Sequence, residues 1–193
     1  MSDEGLYPFL KWTAIVLVAA FVGWSFYDTF VAQRAPGDTA YFEGNTLFKD
    51  GHYERALAKY EEALAQAPDH FAARRGKART LLQLERHEEA LAVYDEVIEE
   101  EPDFAAAYAN RGILYDRMGR YRQAIADYER ALRLEPELAE GPNWLVRFLR
   151  LQPEKPPTID ERARYLRAEL QKPEDERLLR VPEVDAEQRP YEQ

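Results

Sequence analysis

Pro68, Pro102 and Pro136 stand 34 residues apart, and that spacing constrains this chain more than any other feature. Each proline closes a block (37–70, 71–104 and 105–138) in which residue sizes recur at fixed offsets. The eighth position is Gly44, Ala78 or Gly112, the twentieth Ala56, Ala90 or Ala124, and the twenty-seventh Ala63, Val97 or Ala131. Small residues where two helices face one another let their axes approach closely, and Tyr60, Tyr94 and Tyr128 at position twenty-four fill the space between. Within the first block, 37–49 and 52–65 are helix-length stretches parted by Asp50-Gly51, a stop of the kind glycine supplies after a helix. Gly119 repeats that stop, whereas Glu85 stands in its place in the second block. Leu57, Tyr60, Ala63 and Leu64 fall on one helical face, with Glu54, Glu61 and Glu62 mostly outside it. One such hairpin cannot bury its apolar side alone; three stacked hairpins can, once the last is covered. The stretch 139–151, with Pro142 tolerated in its first turn, is the expected closing helix.

This pattern resembles the tetratricopeptide repeat, a 34-residue helix-turn-helix unit. The resemblance covers residues 37–151, about 60% of the chain. It implies an all-α solenoid of three repeats (37–70, 71–104, 105–138) and a capping helix (139–151). The chain departs from the family at position four, where a large aromatic survives only as Tyr108 against Ala40 and Arg74. It departs again at position seven, where Glu43, Lys77 and Arg111 replace leucine. In that family the first helix of each hairpin lines a concave face. Transferred to this chain, that face presents Tyr41, Phe42, Asn45 and Phe48, then Arg75 and Arg79, then Asn110 and Arg117, then Trp144, Arg147 and Arg150. Such a groove suits an extended peptide from a protein partner. Arginine forks pair carboxylates, asparagines hold main chain, and aromatics give contact area with few rotors to freeze. Arg75, Arg79 and Asn110 also resemble part of the two-carboxylate clamp some family members use for chaperone tails. Glu140 and Trp144 stand where that clamp has lysine and arginine, which argues against a chaperone tail here.

The segment before the repeats, 1–36, obeys the chemistry of another solvent. From Trp12 to Tyr27 sixteen residues carry no charge, about 24 Å of helix against a bilayer core of about 30 Å. A span over about 6–31 therefore includes Lys11, whose long side chain can snorkel to the interface. Tyr7, Trp12, Trp24, Phe26 and Tyr27 sit where interfacial aromatics belong. The acidic start (Asp3, Glu4) and the poor cleavage site around residues 31–34 favour an uncleaved single-pass anchor over a signal peptide. Its short leading tail places the N-terminus in the cytoplasm and the repeats in the periplasm of a bacterial inner membrane. Residues 6–31 would then contact membrane lipid.

Chemistry is scarce elsewhere. Ser2 and Ser25 are the two serines, and there is no cysteine, so the soluble part lacks a serine or thiol nucleophile. His52, His70 and His87 have no second ligand at metal spacing and read as turn or packing residues. No glycine-rich phosphate loop occurs. The sequence thus predicts a non-enzymatic protein with no cofactor and no metal. A net charge of −10 disfavours nucleic acid as a partner.

In the tail, 152–193, Thr158-Ile-Asp-Glu161 forms a capping box opening a helix over 159–171. A second short helix is expected over 174–180. The last residues are expected to be an extended arm that orders on a partner through Val181, Val184 and Tyr191. Together these features predict a membrane-tethered scaffold that holds a membrane or periplasmic protein for assembly or stabilisation. Two alternatives stand beside it. One is a permanent accessory subunit of a respiratory or photosynthetic membrane complex, packing through Ala19, Ala20 and Gly23. The other is a cytoplasm-facing receptor for clients or chaperones.

Overall fold

The computed structural model describes residues 6–30, 35–140, 157–180 and 191. Among them the regular structure is entirely helical: α1 (Leu6–Phe30), α2 (Asp38–Lys49), α3 (Tyr53–Gln66), α4 (Phe71–Gln83), α5 (His87–Glu100), α6 (Ala105–Arg117), α7 (Tyr121–Leu134) and α8 (Ile159–Gln171), with short 3-10 turns at Pro136–Ala139 and Glu174–Glu176. The helices α2/α3, α4/α5 and α6/α7 form three hairpins, and α3 packs on α4 as α5 packs on α6.

The three hairpin turns share one geometry. His52, Arg86 and Arg120 donate their N–H groups back to the carbonyls of Leu47, Leu81 and Tyr115 at 2.8, 3.0 and 2.8 Å. Each bond requires a left-handed residue just before the donor. Gly51 and Gly119 supply φ of 78° and 73°, while Glu85 adopts 57° with a Cβ in place.

Small residues and tyrosines set how closely the hairpins stack. Tyr60, Tyr94 and Tyr128 are almost wholly buried. A Cβ at Gly76 would lie 2.4 Å from the Tyr60 ring, and one at Gly112 would lie 2.6 Å from the Tyr128 ring. Position seven, where leucine is replaced by charge, carries ion pairs instead of apolar contacts. Glu43 meets Lys59 at 2.7 Å, Lys77 meets Glu61 at 3.1 Å, and Arg111 holds both Asp127 and Asp95 at 2.7 Å. These pairs join the two helices of a hairpin and one hairpin to the next.

The far end of the stack is covered by α8, which packs on α7. Its N-terminus carries both halves of a capping box: the Thr158 hydroxyl accepts the Glu161 N–H, and the Glu161 carboxylate accepts the Thr158 N–H. Ile159, Ala163 and Leu166 are buried in the same core as Leu114, Tyr128 and Ala131. Arg167 of α8 pairs with Glu129 of α7, continuing the ionic pattern of the repeats. Of the closing helix expected over 139–151, Ala139 ends the 3-10 turn and Glu140 caps it, and residues 141–151 fall outside the described residues.

The helix expected over 174–180 is reduced to the turn Glu174–Glu176. Groups on α8 bind the backbone of this segment instead, and one of them takes the Leu178 N–H that a helix would direct to Glu174. Glu169 accepts from Leu178 N–H at 2.8 Å, Tyr165 donates to the Leu178 carbonyl at 2.5 Å, and Arg162 donates to the Leu179 carbonyl at 3.1 Å.

Helix α1 contains one stretch, Tyr7–Asp28, long and apolar enough to cross a membrane, with mean hydropathy 1.7 and none of it buried against the rest of the chain. By length and composition it suits a span or a signal sequence.

Candidate functional site

The first helices α2, α4 and α6 bring most of the sequence-predicted groove residues to one face, but several are already engaged. Tyr41 is half-buried, with its ring 5.0 Å from His70 and 5.2 Å from Phe42. Phe42 is 53% exposed and available to a partner. Asn45 accepts the Tyr60 hydroxyl at 2.7 Å, so part of its capacity is spent inside the first hairpin. Phe48 packs edge-on against Tyr53, with the Arg79 guanidinium 5.2 Å above its ring. Arg117 donates to the Leu82 carbonyl at 3.2 Å.

Arg75 is placed by aromatics. Its guanidinium lies 4.4 Å from the Phe104 ring centre and 5.5 Å from that of Phe71, a cation–π arrangement. Burial, followed by the charge of nearby Arg79, lowers its pKa from the usual arginine value. Two cations held this close, in partial shelter from water, form a site that gains from an anion.

Asn110 is 2% exposed and holds main chain with both ends of its amide. Its Oδ1 accepts the Tyr191 N–H at 2.7 Å, and its Nδ2 donates to the Tyr191 carbonyl at 3.0 Å. Tyr191, predicted as a partner contact, thus lies on the groove residue Asn110 of its own chain. Its ring packs against the core that also contains Ile159 and Tyr128. Burial raises its pKa. Arg75, Arg79, Tyr94, Phe104, Asn110 and Tyr191 line a cavity of about 10 Å³, room for about one water.

Two polar atoms beside that cavity, Arg79 Nε and the Tyr94 hydroxyl, are buried without a hydrogen-bond partner. The repeat explains why. The residue fifteen before Tyr60 is the acceptor Asn45, but fifteen before Tyr94 stands Arg79, a donor only. Tyr128 has Ile113 at that offset and turns instead to Asp116, at 3.3 Å. Burial pushes the Tyr94 hydroxyl well above its usual pKa, so it remains a donor. Comparing the three blocks at this offset reveals Tyr94, which sequence reading left as packing.

Sequence reading also missed Arg162. It grips Asp116 through Nε and Nη2 at 2.7 and 2.9 Å, with the two side chains 2% and 4% exposed. Asp116 lies on α6 and Arg162 on α8, so the pair locks the closing helix to the groove helix. Trp144, Arg147, Arg150, Val181 and Val184 lie outside the described residues. Among the described residues no three of His, Asp and Glu gather as a metal site.

Residues 41–106 match one family model and residues 105–138 another, each described as tetratricopeptide repeat. No curated protein matches the chain. Among solved structures, the first such domain of Spaghetti (RPAP3), bound to the HSP90 peptide SRMEEVD, is similar with a TM-score of 0.57 at 20% identity, covering 71% of this chain and 94% of that one. MamA from Desulfovibrio magneticus RS-1, from its residue 41 onward, is similar with a TM-score of 0.52 at 25% identity, covering 72% of this chain and 80% of its own. The corresponding domain of Arabidopsis OM64 has a TM-score of 0.51 at 25% identity, covering 52% of this chain and 84% of its own.

Proposed function

Because the chain belongs to the tetratricopeptide repeat family, we propose that it is a non-enzymatic, membrane-tethered scaffold that holds an extended segment of a protein partner on the face of α2, α4 and α6. The observation that carries this reading is Asn110, whose amide takes one residue's N–H and C=O together. That bond pair is indifferent to side chain and fits any extended main chain. Arg75 and Arg79 beside it favour an acidic segment. In the proposal the groove comprises Tyr41, Phe42, Asn45, Phe48, Arg75, Arg79, Asn110 and Arg117, extended by Trp144, Arg147 and Arg150. Arg75 and Arg79 supply only part of a chaperone-tail clamp, so the partner is taken to be a membrane or periplasmic protein undergoing assembly.

The anchor in this reading is α1, with the N-terminus cytoplasmic and the repeats periplasmic. Its 25 residues make about 37 Å of helix, enough for a bilayer core of about 30 Å. A reporter fused after Gln193 should be active only outside the cytoplasm, and the mature chain should retain residues before Arg34. The opposite reporter result would reverse the topology, and a mature N-terminus near Arg34 would remove the anchor.

Affinity purification from native membranes tests the scaffold. Charge reversal of Arg75 and Arg79 together should reduce partner recovery several-fold while leaving helicity unchanged. Recovery that is insensitive both to that reversal and to raised salt would refute the electrostatic part. A second reading, a permanent accessory subunit, draws on Gly23, where an added Cβ would meet nothing within 4 Å. That small face of α1 is open to a partner helix. A fixed stoichiometric partner lost on Gly23→Leu, with recovery unaffected by groove variants, would favour it.

A further inference from the structure

The groove and the tail were expected to serve an outside partner separately, yet Asn110 and Tyr191, 81 residues apart, are bonded to each other. Four observations bear on what that contact is. The bond pair uses both amide atoms of a side chain that is itself 2% exposed. The Tyr191 ring is not splayed over the surface: it packs against the core cluster that includes Ile159 at the start of α8. The space between Tyr191 and the arginines has closed to about 10 Å³, too little for any side chain. Arg79 Nε and the Tyr94 hydroxyl, beside that space, still lack acceptors.

We propose that the groove is occupied in cis, with Tyr191 acting as the chain's own ligand on Asn110, and that a partner segment gains this site only by displacing it. This rests on the scaffold reading above and adds the chemistry of the competitor. To replace Tyr191 the incoming segment must be extended at Asn110 and must place an aromatic ring in the pocket between α6 and α8. It gains over the tail if it also brings a carboxylate or carbonyl oxygen to Arg79 and Tyr94, the two donors Tyr191 leaves unanswered. An acidic residue close to an aromatic one is therefore the recognised feature.

The test uses the full chain in detergent and a fluorescent synthetic probe, VPEVDAEQRPYEQ, identical to residues 181–193. Polarisation should show the probe binding the Tyr191→Ala chain at least tenfold more tightly than the unaltered chain, whose site is already filled. The same probe with alanine for its tyrosine should bind neither. Adding Asn110→Asp to the Tyr191→Ala chain should abolish probe binding, since the amide donor is lost while size is kept. If that variant loses helicity, the alanine probe carries the same information without altering the fold. Equal probe affinity for the unaltered and Tyr191→Ala chains would overturn the proposal, as would no binding to a folded Tyr191→Ala chain. Failure of the scaffold reading looks different: the probe would discriminate between the chains as expected, but membrane-derived partners would be recovered equally whether or not the groove arginines are reversed.

Discussion

Replacing Arg162 by methionine should cost the fold about 4 kcal/mol. Methionine keeps most of the apolar stem and removes the guanidinium, so the buried carboxylate of Asp116 loses its two-pronged partner at 2.7 and 2.9 Å. What remains is one hydroxyl, from Tyr128 at 3.3 Å. An uncompensated buried charge costs about 3–5 kcal/mol. With an urea m-value of about 1–3 kcal/mol/M, the midpoint of unfolding should fall by about 1.3–4 M. Far-UV circular dichroism of the full chain in mild detergent reads it directly. The double variant Asp116→Leu/Arg162→Met should regain most of the loss, since a buried ion pair exchanged for apolar groups of similar volume is often neutral or better. A loss under about 1 kcal/mol for Arg162→Met, or a double variant no more stable than the single, would refute the view that this pair locks α8 onto α6.

Three further outcomes follow from local geometry. Gly112→Ala should destabilise by up to about 2 kcal/mol in the same urea assay, because a Cβ 2.6 Å from the Tyr128 ring brings overpacking of about 1–3 kcal/mol against a helix-propensity gain of about 1; a stabilised variant would contradict the packing described. Glu85→Gly should raise stability by about 0.5–1 kcal/mol by relieving the left-handed strain at φ 57°, and a loss would mean that the side chain contributes something its backbone does not reveal. The Glu169 carboxyl is held below the usual value of 4.5 by Lys172 and by the Leu178 N–H; a folded-state pKa lowered in this way contributes stability above the unfolded value and loses it as pH falls through the folded one. Hydrogen-exchange protection at Leu178 should therefore be constant down to about pH 4.5 and decline below it, with Glu169→Gln removing that dependence; flat protection through pH 3 would refute the role.

The repeat was legible because its signals are local and thrice repeated: the proline period, the small residues and the tyrosine at position twenty-four each recur in register. The capping box at Thr158 was legible for the same reason, since four adjacent residues carry it. Position seven was legible only as a departure from the family pattern. Glu43, Lys77 and Arg111 look like lost leucines in a single block, and only their opposite charges on Lys59, Glu61, Asp95 and Asp127 turn them into contacts. The helix expected over 174–180 gives way to contacts between its backbone and Glu169, Tyr165 and Arg162 on α8, whose separations of 9, 13 and 17 residues lie beyond the reach of helical periodicity. The groove was legible as a set of residue types but not as a state. Sequence spacing places Asn110 and Arg75 on helices and says nothing of Tyr191, 81 positions on, lying across them.

The bond between Asn110 and Tyr191 also orders events in time. Chains are made from the N-terminus at about 5–20 residues per second, so the stretch from Gln171, where the covering helix α8 ends, to Tyr191 takes about 1–4 s to synthesise. During that interval the stacked hairpins and α8 can close their core while Tyr191 does not yet exist. A newborn chain thus presents its groove unopposed, whereas a finished one presents it filled. A partner made alongside this protein meets a site that a later arrival must contest, so delayed supply of the partner should lower its capture even at equal final amounts.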